Sequence, residues 1–134
     1  MMQPRLTLAL DDHSRRYHPG ELLAGQYRVH GAVPEDIRAV ELSVLWHTEG
    51  KGDEDMSVHF FERVEPADDI PADLRQPRRF STVLPNSPLS YNGMIVRICW
   101  CVRARVFFWQ GRELTLDVPF QLGSIPQPEQ AAAR

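Results

Sequence analysis

Three observations predict an all-β chain folded as an antiparallel β-sandwich. Apolar and polar residues alternate along most of the sequence, helical periodicity is nearly absent, and Pro, Gly, Asp and Asn punctuate the alternating stretches. The alternation marks strands with one face in a core and one toward solvent.

The first strand is predicted near Arg5 to Leu10, with Leu6, Leu8 and Leu10 on one face and Thr7 and Ala9 on the other. A polar turn from Asp11 to His18 follows, closed by Pro19-Gly20. The second strand runs near Glu21 to His30 and puts Leu23, Gly25, Tyr27 and Val29 on one face. Gly25 offers no side chain to pack, so it marks a bulge or a close backbone approach.

The third strand is expected near Ile37 to Thr48. Val40, Leu42, Val44 and Trp46 form its apolar face, with Glu41, Ser43, Leu45 and His47 opposite. After a charged, glycine-rich loop from Glu49 to Asp55 comes a fourth strand, Met56 to Val64. Phe61 breaks its alternation, the sign of a bulge or a sheet edge. The proline-containing stretch Glu65 to Pro77 reads as a crossover between sheets, with room for a helical turn around Pro71 to Gln76. A short fifth strand lies near Arg79 to Leu84.

The sixth strand is the plainest. From Met94 to Phe108 every even position is apolar, including Trp100, while odd positions carry Arg97, Cys99, Cys101, Arg103 and Arg105. Fully extended it would span roughly 50 Å at about 3.3 Å per residue, so a bend or bulge is expected. Gln110-Gly111 predicts a hairpin turn into the last strand, Arg112 to Leu122. Pro119 there needs an edge or bulge position, since it lacks an N–H. Residues 1–123 form the expected domain, and Ser124 to Arg134 a loose tail. Seven such strands suggest an immunoglobulin-like sandwich, with a barrel as the alternative.

Three stretches resemble the arrestin-like β-sandwich family. Tyr17-His18-Pro19-Gly20-Glu21, followed after three residues by Gly25, is similar to that family's Tyr-x-Pro-Gly-Glu turn and strand. Phe80-Ser81-Thr82-Val83-Leu84-Pro85, then Pro88 to Gly93, resembles its Phe-x-x-x-Leu-Pro strand and its Pro-and-aromatic turn. Ile98-Cys99-Trp100-Cys101-Val102-Arg103-Ala104 resembles its Ile-x-Trp-x-Val-x-Ala strand. The resemblance implies a sandwich of seven or eight strands acting as a non-catalytic protein-interaction scaffold. Arrestins pair two such domains and this chain has room for one, so it is more similar to stand-alone, bacterial members. Receptor binding and phosphate sensing are not carried over.

A net charge of −3 argues against bulk attraction to nucleic acid or an anionic membrane. No apolar run approaches a membrane span, so no membrane insertion is expected, and a cytoplasmic location is the default. Cys99 and Cys101 on one strand point the same way, roughly 6.6–7 Å apart, which disfavours a disulfide. Catalytic residues, cofactors and metal are expected to be absent. A Cys-x-Cys needs two further donors, and His47 with His59 needs a third. The acidic loop lacks the ligand spacing of an EF-hand.

The outward face of the sixth strand, with its hairpin tip, is the expected partner-binding surface: Arg97, Arg103, Arg105, Phe107 and Trp109. Arg and Trp are the side chains most enriched at binding hot spots. The same arginines could instead pair with Glu41, Glu113 or Asp117 on an ordinary solvated face. The expected partner is another protein. The alternatives are a structural subunit assembling copies through sheet edges, and a metal-dependent binder or enzyme using Cys99, Cys101 and surface histidines.

Overall fold

The computed structural model describes residues 3–52, 54–66 and 74–124. Its nine strands are β1 (Arg5–Leu10), β2 (Arg16–Tyr17), β3 (Leu22–His30), β4 (Ile37–Gly50), β5 (Met56–Val64), β6 (Arg78–Val83), β7 (Tyr91–Asn92), β8 (Val96–Phe108) and β9 (Glu113–Leu122). The seven long ones are the seven predicted. The two-residue strands β2 and β7 arise where turns brush a sheet edge, too short to leave a periodic signal. One 3-10 turn, Pro34–Asp36, precedes β4.

Two sheets pack face to face. The smaller has the order β1-β3-β6 and the larger β2-β9-β8-β4-β5, with β7 also on β8. Every pairing is antiparallel except the brief β2–β9 contact. Among the described residues no helix is long and apolar enough to cross a membrane.

The predicted apolar parities meet in the core. Opposite Val102 stand Val44 on β4 and Val118 on β9, and opposite Ala104 stand Leu42 and Leu116. Trp46 and Trp100 are direct cross-strand partners. Trp100 is 1% exposed, whereas Trp46 is only partly buried and packs on the core's margin. From the small sheet come Leu10, Leu23, Tyr27, Val29 and Phe80.

The family-like stretches have structural work. Pro19 and Gly20 sit centrally in a turn closed by Glu21 N–H to the His18 carbonyl at 3.0 Å, with Gly20 at φ +81°. That left-handed φ after proline is the demand of a type II turn. The Glu21 carboxylate accepts from the His18 N–H at 2.7 Å. Later in the chain, the Trp100 indole donates to the Pro88 carbonyl at 2.8 Å, and Ser90 trades hydrogen bonds with Leu122. The turn after β6 thus closes one end of the core.

Three local expectations are settled. Gly25 is a close approach rather than a bulge, its ladders to β1 and β6 running unbroken. Pro119 lies on β9 beyond the short β2 pairing, where no neighbour needs its missing N–H. Of the bend or bulge expected within the long strand, no bulge is present, since β8 keeps one alternation from Val96 to Phe108. The irregularities fall elsewhere in the sheet, at Ile37/Ala39 of the adjacent β4 and, opposite Val44/Leu45, on the edge strand β5. Of the predicted helical turn, Leu74 to Gln76 form a turn and bend, and the rest lies outside the described residues, as does the tail from 125 on.

Strand β5 is an edge, and its bulge matters. The register passes from Phe60 opposite Val44 to Val58 opposite Leu45, leaving His59 as the extra residue. His59 therefore turns toward the other sheet, its Nε2 lying 2.8 Å from the Val83 carbonyl. Its ring packs edge-on to Trp100 at 6.2 Å. This one inserted residue separates His59 from His47, which stays on the outer face of the large sheet opposite Cys99.

Tyr27 also links the sheets, donating to Glu62 Oε1 at 3.2 Å. Burial, then the Glu62 charge, pushes its phenol from 10.0 up to about 12. Cys101 is pushed from 9.0 up to about 11, by burial and then by Asp117. In both cases the folded state holds the proton more tightly. Their stabilisation is complete below pH 9 and is lost as pH rises through about 11 and about 12. The denaturation midpoint is expected to fall across that alkaline window, with the upper part of the fall missing in Tyr27→Phe. An upper limb unchanged in Tyr27→Phe would assign the loss to other groups.

Candidate functional site

The outer face of the large sheet follows from β8 parity and β4–β8–β9 register. Odd residues of β8 point away from the core. From β4, Glu49, His47, Leu45, Ser43 and Glu41 lie opposite Arg97, Cys99, Cys101, Arg103 and Arg105. From β9, Asp117 and Thr115 flank Arg103 and Arg105 on the other side.

This register pairs each of the three arginines with a carboxylate, although the buried Arg105 Nε keeps no partner among the described residues. Arg103 holds Asp117 bidentately, Nε to Oδ1 at 2.8 Å and a terminal nitrogen to Oδ2 at 3.1 Å. Arg105 reaches Glu113 at 2.9 Å, and Arg97 reaches Glu49 at 2.5 Å. Glu41 is taken by Arg63 of β5, which also holds Glu65. The predicted pairings to Asp117 and Glu113 are therefore present, and Glu41 has a different partner. Such part-exposed pairs add little stability each, but they leave no bare cationic stripe for a polyanion.

Phe107 lies half-buried on this face between two guanidiniums, 4.9 Å from Arg105 and 5.3 Å from Arg63. The three-residue turn Trp109 to Gly111 carries Trp109 past the strand end, 65% exposed, with Arg38 6.0 Å from its ring. The five predicted contact residues thus share one face and its tip, Arg97 at one end and Trp109 at the other. Sequence reading missed the apolar members beside them. Phe61, Val58 and Met56 of β5 are 54%, 46% and 61% exposed, next to buried Leu45 and Cys101. The broken alternation at Phe61 was the available signal, since a bulge on an edge strand turns side chains outward.

At the Arg97 end the ladder gathers a mixed cluster. His47 faces Cys99 directly, and Glu49 is the next residue on the same face of β4. One donor atom from each of the three lies within 4.8 Å of the others. His47 Nε2 is 3.5 Å from Glu49 Oε2, while Arg97 holds Oε1. Arg97 holds the Glu49 carboxyl below its usual range, and burial followed by Glu49 raises the Cys99 thiol. Both cysteines are free. With raised thiol values both should be poor nucleophiles near neutral pH. Two thiols are expected by titration under denaturing, non-reducing conditions, and a count of zero would show a disulfide.

Among its described residues the acidic loop does not gather as a site. Glu49 belongs to the sheet face, Asp53 lies outside the described residues, and Asp55 hydrogen-bonds back to Thr48 through its N–H and carbonyl. Away from this face, an open groove of about 1030 Å³ is bordered by Arg5, Arg28 and His30.

Fold and face together define an all-β, arrestin-like antiparallel sandwich with a charge-paired, partly apolar outer sheet. No family model matches the sequence, and no curated protein does. Among solved structures it is similar to Spo0M, a sporulation control protein from Bacillus subtilis, with a TM-score of 0.65 at 17% identity. The match covers 94% of this chain and 51% of that one, so the chain spans about half the length of its structural neighbour. At that identity the likeness shows the fold.

Proposed function

We propose that this chain is an arrestin-like module of the bacterial cytoplasm that binds another protein without catalysis, as an adaptor or scaffold. The observation that carries the reading is the outer face of the large sheet. It leaves Phe61, Val58 and Trp109 uncovered beside arginines already neutralised by Asp117, Glu113 and Glu41. An apolar patch rimmed by paired charges suits a protein surface better than a nucleic acid, which selects unpaired cations. The sporulation control protein with the same fold is compatible with a regulatory role.

The test is capture of partners from the native cell by wild type, by Phe61→Glu with Trp109→Ala, and by Gln26→Glu on the opposite sheet. The face variant is expected to lose the partners that both others retain, with affinity falling roughly thirtyfold or more, the scale of a hot-spot loss. Equal yields from all three folded proteins would remove this face from consideration.

Assembly of copies through open sheet edges is the rival reading. The bulge at His59 blunts the β5 edge, a device that opposes strand addition. A monomeric mass in solution is expected. A dimer that Phe61→Glu dissociates would reassign the face to self-association.

A further inference from the structure

We propose that His47, Glu49 and Cys99 form a three-donor site for a borderline divalent cation of the Zn²⁺ class. The register sets them on one face of two adjacent, fully paired strands, so the backbone positions are fixed before any ion arrives. Nitrogen, carboxylate oxygen and sulfur are the donor types this cation takes. Mutual spacing within 4.8 Å lets small rotations bring all three donors to bonding distance of a single ion.

The expectation that metal was absent rested on counting donors within Cys-x-Cys and within a histidine pair. Cross-strand register supplies the missing ones to Cys99 alone. Cys101 stays outside, two residues along and opposite Leu45.

Arg97 is the evident objection, as a cation beside the site. It occupies Oε1 of Glu49, however, and leaves Oε2 directed at His47. That is the arrangement by which an outer residue orients a ligating carboxylate. Ion binding releases the Cys99 thiol proton to solvent, so two anionic donors and neutral imidazole face the cation. The side chains of His47 and Glu49 are 36% and 40% exposed. A fourth position is thus open to water or to a donor from outside, as in three-ligand zinc sites.

The test uses the full chain with Zn²⁺ and with Co²⁺ as spectroscopic probe. One equivalent of Zn²⁺ should bind. Co²⁺ should give tetrahedral visible bands and a thiolate charge-transfer band in the near ultraviolet. Cys99→Ser should abolish the charge-transfer band, and His47→Ala or Glu49→Gln should each weaken binding by at least about tenfold. Cys101→Ser should change neither. All four positions are on the outer face, and circular dichroism checks that each variant is folded. Absence of stoichiometric binding overturns the site. So does a charge-transfer band that survives Cys99→Ser or disappears with Cys101→Ser.

Discussion

Trp100→Ala is expected to cost about 3–5 kcal/mol, the usual range for truncating a buried large aromatic. The ring lies where three strands of the large sheet meet, opposite Trp46 on β4 and Phe120 on β9, 5.7 Å from the Phe120 centroid. His59 packs against it from the bulged edge strand. Removing the indole leaves a cavity under all three and takes away the donor to the Pro88 carbonyl. Trp100→Phe separates the two effects. It keeps most of the packing and leaves that carbonyl unpaired, an omission worth about 1–3 kcal/mol if water cannot replace the bond. Trp46→Ala should cost less, because Trp46 is only partly buried. Denaturant unfolding of the three variants gives the order. A Trp100→Ala protein within about 1 kcal/mol of wild type would show the ring to be a surface group and the parity of β8 to be inverted.

That parity was legible from sequence because it needs no partner. An unbroken run of apolar even positions assigns its own faces, and from Val96 to Phe108 it placed Arg103, Arg105 and Phe107 outward and Trp100 inward as the structure has them, while Met94 and Ile95 lie exposed ahead of the strand. Register was not legible in the same way. Strands β4 and β8 are joined by no hairpin, so nothing local says that His47 meets Cys99 or that Glu49 meets Arg97. The cluster at that end is a product of long-range pairing. His59 shows the opposite difficulty, where a single extra residue on an edge strand turned a surface histidine toward the second sheet. Arg63, on the same strand, took Glu41 from the arginines expected to hold it. The candidate face was therefore readable along β8, and obscure wherever β5 contributes.

Gly25→Val is the second large effect, and here the sequence signal and the structure agree. Gly25 lies mid-strand in β3, the centre of the small sheet, opposite Leu10 on β1 and Phe80 on β6. A Cβ at this position would sit 2.5 Å from the Ala9 carbonyl oxygen and 2.8 Å from Phe80 Cζ. The ring can tilt, but the oxygen belongs to the backbone of β1 and can retreat only if β1 and β3 separate. Overpacking a filled core costs about 1–3 kcal/mol. A backbone obstacle puts valine at or above the top of that range, and alanine within it. The comparison that decides is Gly25→Ala alone against Gly25→Ala with Phe80→Leu. If the carbonyl dominates, shortening the ring restores nothing, and hydrogen exchange quickens along β1 in both variants. If Phe80→Leu recovers the lost stability, the ring is the obstacle and the strand spacing is not. A Gly25→Ala midpoint equal to wild type would mean that the approach of β1 to β3 is looser than 2.5 Å from that Cβ position allows.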